Sequence, residues 1–276
     1  MRVAVITIVH GRHGHLALQQ EGLAASTRPP DVRVVVAMDD PTLDGAGVVH
    51  VPTDDLGLPL ARARNIGARR ALDAGAQALV FLDVDCIPSP GLVAAYERVL
   101  ADRATSGDLL CGPVTYLPPP PEGGYDLATV GALGVPHAAR PCPPAGQVDR
   151  GHDRYELFWS LSFAVSAGVW EVVGGFDESY VGYGGEDTDF ARKAQSAGVA
   201  LTWVGGADAF HQHHPVSRPP VEHVDDIVRN ATIFRDRWGT WPMQGWLDEL
   251  EGRGLVTRGA DGYAVSALGD ELDRER

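Results

Sequence analysis

The chain has 276 residues, 44% hydrophobic and 22% charged, with a formal net charge of −14. That is enough apolar material for one large α/β domain or two small ones, which excludes disorder as the main state. So acidic a surface repels phosphate backbones and anionic lipid, which argues against nucleic acid as a partner.

The β-branched run Val3 to Val9 predicts a buried parallel strand, ending at His10-Gly11. Short and followed by no small-residue cleavage site, it reads as a first strand rather than a signal peptide. Leu16 to Ala25 has helical character, Asp31 to Met38 is a second buried strand broken by Asp39-Asp40-Pro41, and Val48 to Val51 is a short third. Pro59 to Ala74 predicts a helix stopped by Gly75. Ala78 to Leu82 is a fourth strand running into Asp83-Val84-Asp85, and Pro90 to Ala101 a further helix. Alternating strands and helices imply right-handed crossovers and a mostly parallel central sheet flanked by helices. Ligands bind such sheets at the carboxyl ends of the strands. There the loops carry His10 to His15, Asp39-Asp40 and Asp83-Val84-Asp85.

From Tyr116 to Tyr155 prolines and glycines replace periodicity, as expected of a mobile loop over a site or of plain disorder. Structure resumes with a strand over Phe158 to Ser166, a short helix over Ala167 to Val173 and a helix over Asp187 to Gly198. A strand over Ala200 to Val204 and a long helix over Val221 to Trp238 follow. The expected organisation is a domain over 1–240, with a nucleotide-binding half (1–105) and an acceptor half (106–240), then a small appendage (241–276). The appendage has the rhythm of a winged-helix element but is acidic, so a packing role is preferred to DNA binding. No apolar run reaches the ~20 residues that span a bilayer. The three cysteines include no C-x-x-C pair, which fits a reducing, cytoplasmic setting.

Asp83 and Asp85, two residues apart at a strand end, place two carboxylates where one hard cation can meet them. Among 37 acidic residues a D-x-D alone is weak, and two solvated turn residues would explain it. The strand before it and a second dense motif give it weight. That motif runs Gly174-Gly175-Phe176-Asp177-Glu178, then Gly184-Gly185-Glu186-Asp187-Thr188-Asp189. A helix N-terminus favours one or two such acids through its dipole, but does not by itself call for glycine pairs and three acids together. His211-Gln212-His213-His214 follows, and imidazole is a common ligand for borderline metals.

These segments resemble glycosyltransferases of the GT-A fold, in the broad family-2-like group. GGFDESYVGYGGEDTDFARKAQSAG is similar to the C-terminal segment shared by β-1,4-galactosyltransferases and polypeptide N-acetylgalactosaminyltransferases, and FHQHHP resembles the histidine segment of bacterial chondroitin-type polymerases. The likeness runs from about Val3 to about Pro215. It implies a metal-dependent transfer of a sugar from a nucleotide-diphosphate donor to an acceptor hydroxyl. It assigns Mn²⁺ or Mg²⁺ to Asp83, Asp85 and His211, with His213 a less favoured substitute for the histidine. Asp83 also contacts the donor ribose. Asp187 matches the catalytic base of inverting relatives, and Glu186 a residue that holds sugar hydroxyls.

For the donor, the resemblance points to the Arg64-Asn65 helix and to Asp39 for the base, with Asp40 an alternative; His10 and Arg12 join them from the first loop. Arg12 or Arg64 is expected to add positive charge at the diphosphate. A UDP-sugar is expected first and a GDP-sugar second; the acceptor is a glycan, a lipid or a small molecule. The D-V-D and G-G-E-D patterns, in place of the D-x-H and G-G-E-N of polypeptide-modifying relatives, point to inversion. The competing readings are a sugar-nucleotide pyrophosphorylase, whose basic phosphate loop is poorly matched by His10 to His15, and a non-catalytic carbohydrate- or nucleotide-binding protein.

Overall fold

The computed structural model describes residues 1–53 and 55–269. The chain begins with β1 (Val3–Val9), α1 (His13–Ala24), β2 (Val32–Met38), β3 (Val48–Val51), α2 (Leu60–Asp73), β4 (Ala78–Leu82), β5 (Cys86–Pro88) and α3 (Leu92–Ala101). It continues through β6 (Leu109–Cys111), β7 (Val114–Tyr116), β8 (Val148–His152), β9 (Ser162–Ser166), α4 (Ala167–Val173), α5 (Glu186–Ser196), β10 (Leu201–Val204), β11 (Ala209–His211) and α6 (Val224–Trp238). It closes with α7 (Gln244–Gly252), β12 (Val256–Gly259) and β13 (Gly262–Val265).

Two compact units emerge, one of Met1–Pro52, Ala63–Gly175 and Phe190–His214, the other of Thr53–Arg62, Phe176–Asp189 and Pro215–Arg276. This division does not follow the expected halves at 105/106, because β6, β9 and β10 from the second half join the sheet begun by the first.

The first unit is built on an eight-stranded sheet ordered β3-β2-β1-β4-β9-β6-β10-β8. β3, β2, β1 and β4 run parallel. The sheet was expected to be mostly parallel, but β9 lies antiparallel to both β4 and β6, and β8 antiparallel to β10, so it is mixed. Side-chain periodicity carries no strand direction; that depends on the end from which the connection arrives, and antiparallel neighbours need no helical crossover. Phe81 and Phe163 face each other across the β4–β9 pair, ring centroids 4.5 Å apart, and Phe190 and Trp170 extend the cluster. This apolar cluster packs the start of α4 and the body of α5 on the sheet.

The segment expected as a loop over 116–155 is built in. It contributes β8, pairs Thr115 with Pro136, and buries Val130 and Arg140. Arg140 is 5% exposed, its guanidinium carbon lying 4.9 Å from the Trp159 ring centroid and 4.7 Å from that of Trp203. Its three nitrogens find no hydrogen-bond acceptor among the described residues. Proline and glycine removed the periodic signal here, while aromatic stacking supplies the docking.

In the second unit α6 carries acids in its first turn, arginines in its last and Gly239 at φ 72° as its stop, as expected for a dipole-matched helix with a glycine cap. Its apolar face, with Val224, Ile227 and Ala231, shares a core with Leu247 and Leu250 of α7 and with Val256 and Tyr263 of the β12–β13 hairpin. The residues expected as a separate appendage after 240 thus complete this core.

Candidate metal and donor site

The order of the first unit's sheet reverses at β1, whose neighbours are β2 on one side and β4 on the other. Crevices form at the carboxyl ends of strands at such a reversal. The loop after β1 and the turn after β4 meet there. A fully buried glutamine of α1 holds the turn: Gln19 Nε2 donates to the carbonyls of Leu82 (3.2 Å) and Asp83 (2.8 Å), and its Oε1 accepts from Thr7 (3.1 Å).

A second, three-stranded sheet, β5-β11-β7, completes the site. β11 runs antiparallel to β5 with His211 opposite Cys86, and the Gln212 amide donates to the Asp85 carbonyl at 2.7 Å. This register brings the imidazole of His211 to within 3.5 Å of Asp85 Oδ1, and that of His214 to within 3.3 Å of Oδ2. One ligand atom each from Asp85, His211 and His214 lies within 4.8 Å of the others. Asp85 is buried, which by itself would raise its pKa; His214, His211 and Arg12 outweigh that and hold it at about 2. Burial lowers the pKa of His211 against the pull of Asp85. An ionised carboxylate and a neutral imidazole are the forms that bind metal. Two of the three ligand atoms are imidazole nitrogens, which borderline metals accept more readily than Mg²⁺, an ion that prefers oxygen ligands.

The expected ligands are only partly gathered here. Asp85 and His211 belong to the trio. Asp83 lies outside it: its Oδ1 is 3.3 Å from Arg64 Nη2, and that arginine is itself buried. His213 is exposed and its backbone amide donates to the Tyr125 hydroxyl at 3.1 Å, so the second imidazole is that of His214. Strand alternation from His211 points to position 213, but β11 ends at 211 and the alternation ends with it.

On the donor side, Asp40 is committed to its own loop. Its carboxylate accepts from the Gly11 amide (3.0 Å) and the Thr42 hydroxyl (2.8 Å) and lies 2.6 Å from His13 Nε2. Asp39 is exposed, with φ 45°, and His10 holds the carbonyl of Met38 through Nδ1 at 2.8 Å. Asn65 lies against Gly175, where an added Cβ would come within 2.7 Å of its Oδ1. Arg12 Nη1 reaches Asp85 Oδ2 at 2.6 Å.

Glu186 and Asp187 belong to the second unit, in the first turn of α5. Glu186 is buried, and Asp187 Oδ1 accepts from the Thr188 amide at 2.6 Å. The glycine loop before them is held from α6. Asn230, fully buried, shares its amide hydrogens among the carbonyls of Val181, Tyr183 and Gly184 at 2.8–3.2 Å, and Asp226 accepts from the Tyr183 amide. Gly182 sits so close to Asp226 that a Cβ would stand 2.2 Å from its carboxylate. Sequence reading missed His214, Gln19 and Asn230. Only the first had a signal, as a member of the histidine run.

The fold is a GT-A-like architecture. A family model described as the N-terminal domain of galactosyltransferase matches residues 148–218. Validoxylamine A glucosyltransferase of Streptomyces hygroscopicus subsp. limoneus is 30% identical over 237 residues, 76% of this chain and 50% of that protein. Chondroitin synthase of Escherichia coli is 27% identical over 189 residues, 61% of this chain and 27% of that protein. The chain thus spans about half, or less, of these curated relatives. Among solved structures, S. aureus TarS 1–349 superposes with a TM-score of 0.55 at 12% identity, over 86% of this chain and 65% of that one. GalNAc-T7 with UDP, GalNAc and Mn²⁺ does so with 0.55 at 15%, over 91% and 57%. No helix among the described residues is long and apolar enough to cross a membrane.

Proposed function

We propose that the protein transfers a sugar from a nucleotide-diphosphate donor, a UDP-sugar first, to a hydroxyl of a glycan, lipid or small-molecule acceptor, with inversion and with a divalent ion. The observation that carries this reading is the Asp85–His211–His214 trio at the carboxyl edge of the sheet. In support stand the GalNAc-T7 neighbour, whose structure holds UDP and Mn²⁺, and the named transferases among the relatives. Asp85, His211 and His214 would hold the ion, which supplies Lewis-acid relief of charge on the leaving diphosphate. Arg64 is proposed to fix the Asp83 carboxylate through their 3.3 Å contact, leaving Asp83 oriented for the donor ribose. With Asp40 spent on Gly11, His13 and Thr42, the exposed Asp39 is the carboxylate proposed for the nucleobase. On resemblance, Asp187 takes the acceptor proton as general base, and Glu186 holds sugar hydroxyls. The three cysteines are free, as suits a cytoplasmic setting.

The test is a thermal-shift screen of nucleotide sugars with and without Mn²⁺, followed by transfer assays on the ligands that bind. A donor that binds the native state raises the midpoint by mass action. Asp187→Asn should lower turnover at least ~10²-fold with donor binding nearly intact. Full turnover in that variant removes Asp187 from the role, and product NMR showing retention removes the inverting assignment. Turnover of a sugar phosphate with a nucleoside triphosphate would instead support the pyrophosphorylase reading.

A further inference from the structure

We propose that Arg12 is a resident cation of the Asp85–His211–His214 centre, exchanged for the divalent ion and thereby freed to meet the donor's diphosphate. The inference rests on the metal-site reading above and adds a coupling between ion and nucleotide. Its starting point is the 2.6 Å contact between Arg12 Nη1 and Asp85 Oδ2, the oxygen that also lies 3.3 Å from His214 Nε2. Metal–oxygen bonds of the small divalent ions are about 2.1 Å. A guanidinium and a divalent ion cannot share that carboxylate oxygen at contact without strong repulsion.

The placement of Arg12 is built. It stands at φ 50° and ψ 34°, a left-handed conformation unfavourable for a side chain of this kind, immediately before α1. Both neighbours are pinned to one buried carboxylate: the Gly11 amide and His13 Nε2 each meet Asp40 Oδ2, at 3.0 and 2.6 Å. His10 is tied to the Met38 carbonyl. The loop therefore fixes the backbone of Arg12 and aims its side chain across the reversal of strand order at Asp85. The side chain itself is 41% exposed, so it can swing away while the backbone stays fixed. Arg64, the other arginine of this region, is buried against Asp83 and has no such freedom. When a divalent ion takes over the charge of Asp85, the guanidinium is released at the mouth of the site, beside the N-terminus of α1, where an anionic diphosphate is favoured. Metal and nucleoside diphosphate then bind cooperatively, each removing a reason for Arg12 to remain on Asp85.

The experiment measures Mn²⁺ binding by electron paramagnetic resonance, with and without UDP, for the wild-type chain, Arg12→Met and Arg12→Lys. Loss of the competing charge should tighten Mn²⁺ in the absence of UDP at least ~5-fold in Arg12→Met, the lower end of ordinary coupling between sites. The tightening of Mn²⁺ by UDP in the wild type should shrink in the same variant, and Arg12→Lys, which keeps a cation, should stay near the wild type. If Arg12→Met binds Mn²⁺ no tighter than the wild type, or keeps the full UDP effect, the exchange is overturned and the metal site stands. If no protein binds Mn²⁺ with or without UDP, the metal reading itself falls and takes the exchange with it.

Discussion

Replacing His214 and His213 in turn by alanine separates the structure's account of the metal centre from the one that strand alternation suggests. The side chain of His214 is 17% exposed, with Nε2 3.3 Å from Asp85 Oδ2, whereas His213 is exposed and engages Tyr125 through its backbone amide alone. Loss of a group that merely orients a ligand costs about 10–100-fold in metal affinity. A direct ligand, one of three, should cost no less than the upper end, so His214→Ala should weaken Mn²⁺ by ~100-fold, or about 2.8 kcal/mol. His213→Ala keeps the Tyr125 contact, which needs no side chain, and should stay within about twofold, the size of a remote surface change. Isothermal titration with Mn²⁺ reads both, and a thermal-shift series in Mn²⁺ gives a second ranking through the stabilisation of the loaded state. Equal losses in the two variants, or a larger loss for His213→Ala, would refute the assignment of His214 and return the choice to position 213.

Asp40, held at about 2 by His13 and then Thr42, ionises in the folded protein well below the ~3.9 of a free side chain. Its stabilisation is therefore complete above pH ~4 and is lost as pH falls through about 2. Asp40→Asn should flatten the acid limb of a urea-unfolding series, and an unchanged limb would contradict the assignment. Asn230→Ala leaves carbonyls of the 181–184 loop without their buried donor and should cost about 2–3 kcal/mol by chemical denaturation; a loss below about 0.5 would show that the loop holds itself. Arg140→Met removes a buried charge without hydrogen-bond partners and keeps the bulk between Trp159 and Trp203. The melting temperature should hold or rise, since desolvating an unpaired charge outweighs two ring contacts of up to ~2 kcal/mol each. A fall equivalent to more than about 2 kcal/mol would mean that stacking dominates.

Sequence pattern was a good guide where one physical signal dominated. The apolar runs of β1, β2 and β4 located those strands, Gly75 and Gly174 stopped their helices, and Asp83-Val84-Asp85 was recognisable because an apolar strand runs straight into it. Strands of three residues such as β5, β7 and β11 have too few side chains to show any period, yet their pairing is what brings His211 to Asp85. The identity of the second histidine depended on where β11 stops, a matter of backbone pairing. β8 was hidden because its residues are largely exposed, and the direction of β9 because burial on both faces looks alike whichever way a strand runs. Asn230 gave no sign of its role, since a lone polar residue in a helix pattern discloses nothing of the distant carbonyls it serves.

The pairing of β11 with β5 has a mechanical corollary. Asp85 and His211 sit on adjoining rungs of one ladder, with the Gln212 amide bonded to the carbonyl of Asp85 itself. Anything gripping both side chains acts as a rivet through two strands of three residues each. Exchange of the Gln212 amide proton with solvent is then a built-in gauge of occupancy, slowing when the rivet is set and quickening when it is drawn.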